Sequence, residues 1–296
     1  MLQDLVNAVA LGSIYLLFAL GMSLAWGTIG ILNFAHGSIF MFSAFAAYLI
    51  VNNVRLPMVA VIAIGTLVGA ALSLAVQVFA FEPILRRAKD HRTAEMQILI
   101  AGIGVAIVPL AIAQENTKSN PFGFTGSSFK ATTYVLGDLR VTNIQILVIV
   151  LALVLGLGLA RWLQVSRNGL ALRSIGVDSE VSSIMGVDRR RLALLTMLVA
   201  GGLAGLAGVL LTYNLGAITP ESGEALILKA FAIIILGGVG SIAGVIVGAY
   251  VLALAETVVL TQTSGLWVDA VSFGLILLVL LFKTEGLFGR REVRRA

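Results

Sequence analysis

Apolar residues fill long blocks of this chain, and polar residues gather in the short stretches between them. A membrane-crossing helix needs about 20 mainly apolar residues. Blocks of that order lie at 5–26, 38–52, 56–80, 96–113, 144–163, 192–213, 225–239, 242–262 and 267–282. The block at 38–52 is short. Those at 225–239 and 242–262 are joined by Gly237-Gly238-Val239-Gly240-Ser241, so the pair either crosses twice or dips and returns. The pattern predicts an all-α, polytopic membrane helical bundle of eight to nine passes, one transmembrane domain over 1–296, with discontinuous helices near 27–38 and 237–241.

The stretch Gly27-Thr28-Ile29-Gly30-Ile31-Leu32-Asn33-Phe34-Ala35-His36-Gly37-Ser38 interrupts two apolar runs with three glycines, an asparagine and one of only two histidines. Backbone freed inside hydrocarbon must find partners in the protein or beside a water-filled cavity. Broken helices of this kind line solute sites near the bilayer midplane. Asn33, Phe34, His36, Gly37 and Ser38 are therefore candidate pathway residues, and Gly238, Gly240 and Ser241 are their counterparts at the second break. Asn33 and His36 also have a plainer reading, in which they satisfy freed backbone groups. A short echo, Gly37-Ser38-Ile39 with Ala47-Tyr48 against Gly240-Ser241-Ile242 with Ala249-Tyr250, links the two breaks.

Composition changes the picture by excluding a soluble domain: 59% of the residues are hydrophobic, 12% are charged, and mean hydropathy is +1.02. Met1-Leu2-Gln3-Asp4 has no basic n-region, so the first helix is expected to be retained rather than cleaved. Without cysteine there is no disulfide, thiolate metal site or cysteine nucleophile.

The net charge is +5, and its placement matters more than its sum. Basic residues concentrate at Arg86, Arg87, Lys89 and Arg92, at Arg161 to Arg191, and in the tail from Lys283. Excess Lys and Arg mark cytoplasmic loops. This puts the N-terminus outside, the C-terminus in the cytoplasm, the loop 114–143 outside and the loop 164–191 inside. The outer loop has turn composition with a short hairpin at Thr132 to Val141, and serves either as a connector or as a docking surface.

The inner loop reads as two amphipathic turns, Asn168 to Ile175 and Ser179 to Met185. Asp178 or Ser179 can cap the second, and Gly186 can end it in a left-handed conformation. The next helix starts near Asp188 with Arg189-Arg190-Arg191 in its first turn, where the macrodipole disfavours cations. Anchoring to anionic lipid or contact with an acidic partner accounts for them instead. Small residues at Gly201, Ala204, Gly205 and Gly208, with the pairs Gly65/Gly69 and Gly244/Gly248, predict close helix packing. Pro109 predicts a kink in the fourth pass.

Catalytic chemistry is sparse. No H-E-x-x-H, G-x-S-x-G or G-x-x-x-x-G-K-[ST] occurs, so the chain has no P-loop with which to split ATP. Lys229 and Glu256, near predicted helix ends, are expected to snorkel to the interface. His36 and Glu256 alone are too few for an evident proton relay.

Four stretches carry a resemblance: Gly12-Ser13-Ile14-Tyr15 through Ala19-Leu20-Gly21, Gly30-Ile31-Leu32-Asn33-Phe34-Ala35-His36-Gly37, Met185-Gly186-Val187, and Gly237-Gly238-Val239-Gly240-Ser241. Together they resemble the branched-chain amino-acid ABC transporter permease family, and within it the first of the paired permeases. The resemblance implies a non-enzymatic permease domain importing leucine, isoleucine or valine across the inner membrane. It implies assembly with a second permease subunit as a heterodimer, two cytoplasmic ATPase subunits that bind the ATP, and an extracytoplasmic substrate-binding protein. No cofactor or metal of its own is implied. Glu180 to Gly186 fits the family's coupling motif, with Glu-Val-Ser where Glu-Ala-Ala is usual. Asp178, Glu180, Ser182, Met185 and Gly186 would then be the ATPase-coupling residues. Relatives carrying urea, amides or other amino acids, and a stand-alone secondary transporter or channel, are the alternatives.

Overall fold

The computed structural model describes residues 2–30, 32–88, 90–177, 179–263, 265–283 and 286–289. Asp178, Lys89 and the arginines from Arg290 onward lie outside the described residues. The long helices are α1 (Leu2–Ile29), α2 (His36–Val51), α3 (Met58–Val76), α5 (His91–Thr117), α6 (Asn143–Val165), α9 (Arg189–Leu215), α10 (Ser222–Gly237), α11 (Ile242–Gln262) and α12 (Val268–Phe282). Three short ones complete the set: α4 (Glu82–Arg87), α7 (Arg167–Val177) and α8 (Ser179–Ile184). Among the described residues, six helices are long and apolar enough to cross a membrane, while α2 and α10 have 16 residues each and α12 has 15. The chain is an all-α polytopic membrane protein.

Burial sorts these helices into inner and outer positions. The apolar windows of α1 and α9 are 89% and 78% buried, whereas those of α5 and α6 are only 17% and 22% buried. A helix that is apolar all round and buried belongs at the centre of a bundle. So α1 is the axis, packed by α6, α9, α10 and α11. The bare faces of α5 and α6, with Ile103, Ile107, Val154 and Leu157 exposed, suit a hydrocarbon solvent.

The most extensive seam joins α3 to α9, antiparallel, and small residues make it. A Cβ on Gly69 would collide with the Gly201 carbonyl oxygen, and one on Gly205 with the Gly65 carbonyl oxygen. Between hydrocarbon-solvated helices, close backbone approach replaces the hydrophobic effect as the source of cohesion. Beyond this dry segment the seam turns polar, with Ser73 Oγ, Gln77 Oε1 and Thr196 Oγ1 buried and without hydrogen-bond partners.

Here the structure departs from the hydropathy blocks. The third pass does not stop near residue 80: a π-helical turn at Gln77–Phe81, with the Glu82 N–H bonded to the Gln77 carbonyl, carries the helix into α4. The buried stripe of Val61, Gly65, Gly69, Ser73 and Gln77 runs on to Phe81, and Glu82, the next residue, is buried beside it. Arg86 and Arg87 are therefore helical. Hydropathy cannot see a helix that continues after its residues turn polar. The next helix begins behind a cap also absent from the sequence reading: Asp90 Oδ1 accepts the Thr93 N–H at 2.8 Å.

The two ends of the bundle are built differently. At one end, α1, α6 and an antiparallel hairpin of β1 (Thr133–Leu136) and β2 (Leu139–Thr142) are tied together. Gln3 exchanges two hydrogen bonds with the Arg140 backbone, and Gln145 Nε2 donates to Asn7 Oδ1. At the other end, Leu24, Leu163, Leu172, Ile175 and Leu192 form a separate apolar cluster that fastens α7 to α1, α6 and α9. The hairpin and the two-turn elbow both match the sequence expectation.

Candidate functional site

The first break is shorter than the glycine-rich stretch suggested. Helix α1 continues through Ile29 and α2 begins at His36, so His36, Gly37 and Ser38 form the first turn of α2. Asn33 is buried, and its Oδ1 accepts the Ala35 N–H at 3.0 Å while its carbonyl accepts the His36 N–H at 3.2 Å. It satisfies donors that the start of α2 leaves over. The His36 ring lies against Phe18, centroids 4.7 Å apart, with Nε2 3.2 Å from the Phe18 carbonyl oxygen. Helix α2 thus starts level with the middle of α1, as a half-helix pinned to the axis.

Gly37 meets Gly223 backbone to backbone where α2 crosses α10, and any Cβ there would strike a carbonyl. Beside this crossing, Phe34 and Ser38 line a cavity of about 30 Å³ with Ala106 and Leu110 of α5 and Pro220 and Glu224 of the α10 entry. Ser38 Oγ donates to the Ala35 carbonyl at 2.9 Å. Near the rim, Gln114 Nε2 donates to Glu221 at 2.8 Å and holds that carboxyl below the ordinary range. Glu224 is a lining group that the sequence reading did not single out.

The second break is also real and lies at the opposite end of α10. Gly238 and Gly240 have φ of 97° and 77°, a region that suits glycine. Ser241 Oγ caps α11 by accepting the Gly244 N–H at 3.1 Å. Gly240 abuts Gly27, so the break closes against the last turns of α1. The structure does not bring Gly238, Gly240 and Ser241 to the Phe34 cavity. Phe231 of α10, ringed by Phe34 and Trp26, links the two regions.

Lys229 and Glu256 do not snorkel. Lys229 Nζ donates to Glu256 Oε2 at 2.8 Å and to Tyr15 Oη at 2.9 Å, and Tyr15 Oη donates to the same carboxylate oxygen at 2.7 Å. Their side chains are 12% and 1% exposed. Helical phase points both residues at α1, where they meet each other sooner than water. Opposite charges in two separate apolar passes are the signal that could have found the pair.

At the α7–α8 end, Val181 and Ile184 of α8 and Met185 just after it point outward, the last two 82% and 79% exposed, while Ser182 is buried. Gly186, with φ of 85°, ends this turn, and Asp188 Oδ1 caps α9 by accepting the Arg191 N–H at 3.0 Å. Glu180 is on α8. A rigidly anchored elbow therefore presents apolar side chains beyond the bundle, with the exposed Arg189 and Arg191 beside them.

Residues 5–280 match the family described as branched-chain amino acid transport system, permease component. The chain is 30% identical to the high-affinity branched-chain amino acid transport system permease protein BraD of Pseudomonas aeruginosa, over 99% of this chain and 97% of that one. It is 31% identical to the LivH permease protein of the corresponding Escherichia coli system, with the same coverage. Half of the chain, 51%, is 30% identical to the xylose transport system permease protein XylH of Haemophilus influenzae, over 42% of that protein. No solved structure matches significantly. With its breaks, seams and elbow in place over the matched length, the chain belongs to the branched-chain amino acid transport system permease family.

Proposed function

We propose that this chain is the permease subunit of an ABC importer that carries leucine, isoleucine and valine inward through the inner membrane, with its N-terminus outside and its C-terminus in the cytoplasm. The observation that carries the reading is the elbow. Exposed Ile184 and Met185 project from a two-helix loop whose base, Leu172 and Ile175, is packed into the bundle. Such a loop can pass a push from a partner to α1, α6 and α9 at once.

On this reading the whole chain is one permease domain, with 164–191 as the cytoplasmic coupling loop and 114–143 as the external loop that meets a substrate-binding protein. Two ATPase subunits bind the ATP, a second permease completes the pathway, and the chain holds no cofactor of its own. Glu180, Ser182, Met185 and Gly186, with Asp178 outside the described residues, shape the coupling surface. Phe34, Ser38 and Glu224 face the solute. Asn33, His36 and Gly37 hold the first break in shape, and Gly238, Gly240 and Ser241, at the second break, form the inner mouth of the pathway. A cavity of about 30 Å³ is far below the ~300 Å³ of ordinary ligand pockets. On this reading α5 and α10 part when a branched side chain passes.

The branched-chain cargo follows from what the BraD and LivH relatives are named for. Proteoliposomes holding the full assembly, with ATP inside and binding protein outside, test it. Uptake of labelled leucine that isoleucine and valine compete for, and urea does not, is expected. Uptake by the permease without ATPase subunits, or ATP-dependent uptake of urea alone, overturns the reading.

A further inference from the structure

Arg190 is poorly explained by helix chemistry, since it sits in the first turn of α9, at the positive end of the dipole. The structure gives it a carboxylate. Glu82 Oε1 accepts Arg190 Nε at 2.7 Å and also takes Arg86 Nη2, tying α4 to the start of α9. The residue is only 8% exposed, and its second oxygen, Oε2, is buried with no hydrogen-bond partner. A buried acceptor without a donor is costly, and a carboxylate oxygen more so.

This carboxylate lines a cavity of about 340 Å³ whose other walls are Arg86, Arg87, Arg190, Val78 and Pro83. Arg87 makes no hydrogen bond or ion pair among the described residues. Three arginines and one glutamate thus line the same cavity. The adjoining outer face of the helix is apolar and bare, with Phe79 81% exposed and Leu85 43% exposed.

The donor set narrows the ligand. A simple anion would satisfy the arginines but would leave Glu82 Oε2 unpartnered beside a negative charge. A simple cation would satisfy Oε2 but would meet three guanidiniums. A group bearing both a phosphate and an N–H-bearing ammonium satisfies both. The apolar strip of Val78, Phe79 and Leu85 suits an attached acyl chain, and basic pockets at the cytoplasmic ends of membrane helices are where headgroups sit.

We propose that the cavity between α4 and the first turn of α9 is a headgroup site for an aminophospholipid, with its phosphodiester on Arg87 and Arg190 and its ammonium on Glu82 Oε2. The lipid braces the α4–α9 clasp next to the elbow. The leaflet that supplies it and the cytoplasmic placing of the pocket rest on the orientation under Proposed function, whereas binding in detergent does not depend on transport.

Native mass spectrometry of the delipidated full-length chain tests this with dioleoyl phosphatidylethanolamine, phosphatidylcholine and phosphatidylglycerol at equal concentrations. Phosphatidylethanolamine is expected to be retained about tenfold better than the other two, as one charge-assisted hydrogen bond requires. Arg87→Gln, which removes no hydrogen bond or ion pair among the described residues, should abolish that preference, and soluble glycerophosphoethanolamine at the lipid's concentration should not displace it. Equal retention of the three lipids, or an undiminished preference in Arg87→Gln, overturns the proposal. Displacement by the soluble headgroup also overturns it, since the site would then serve a free phosphate ester.

Discussion

Replacing Lys229 with methionine tests whether the buried pair is a structural bond or an incidental contact. The substitution keeps the length of the side chain and removes the cation from two contacts, 2.8 Å to Glu256 and 2.9 Å to Tyr15. Glu256, 1% exposed, then loses the ammonium and retains the Tyr15 hydroxyl as a donor. Breaking one side of a buried ion pair costs about 3–5 kcal/mol, whereas removing both charges is often nearly neutral. Lys229→Met is therefore expected to lose about that much, and Lys229→Met/Glu256→Gln to recover most of it, a coupling of roughly 2–4 kcal/mol. Unfolding in mixed micelles can be followed by tryptophan fluorescence, because Trp26 packs edge-on against Phe231 of the same helix α10, centroids 6.0 Å apart. A loss below about 1 kcal/mol in the single variant, or equal stabilities of the single and double variants, would mean that the ammonium escapes to water and the reasoning fails.

Four further outcomes follow from other parts of the molecule. Gly205→Leu drives a side chain into the Gly65 carbonyl across the α3–α9 seam, so the protein should fail to survive extraction in detergent as a monodisperse species, whereas Gly158→Leu, with open space around it, should extract normally. Asn33→Leu removes the acceptor for the Ala35 N–H and should cost about 1 kcal/mol in the same micelle titration, with Asn33→Asp retaining the loss only in part. Ile184→Asp on the exposed elbow should leave folding unchanged while cutting ATP-driven leucine uptake by the reconstituted assembly at least about tenfold, the effect of losing one interface anchor. Asp90 is held below its ordinary value, first by the Thr93 backbone N–H and then by the Thr93 hydroxyl. Its cap is therefore fully present above the unfolded carboxylate value and is lost as pH falls through the lower folded value. Amide exchange at Thr93, corrected for intrinsic rates, should accelerate only at strongly acid pH, and Asp90→Ala should show the fast rate at every pH.

Much of the molecule was legible from one dimension because hydrocarbon is an unforgiving solvent. Apolar blocks had to become helices, since lipid offers no partners to the backbone. The glycine pairs 65/69 and 244/248 had to mark contacts, since small residues are what such contacts need. The elbow at 167–186 was equally readable, because Gly186 and Asp188 end and start helices by local chemistry that does not depend on the rest of the chain.

What the sequence could not decide depends on which faces meet. Hydropathy scores Lys229 and Glu256 as interruptions near helix ends, and only the packing of α10 and α11 around α1 turns them into a pair. The π turn at Gln77–Phe81 rotates everything after it by one residue, which no composition records, and this brings Glu82 to Arg190. Asn33 and His36 were marked as unusual by their residue types, but type alone left open whether they face solute or backbone. The tertiary structure placed both against backbone, and it placed Glu224, an unremarkable acid in sequence, at the cavity instead. Local chemistry and solvent thus marked the helices and several of their ends from sequence alone, while the run of the third helix past its apolar block and the partners of each polar side chain were decided by helix phase and crossing, which exist only once the bundle has formed.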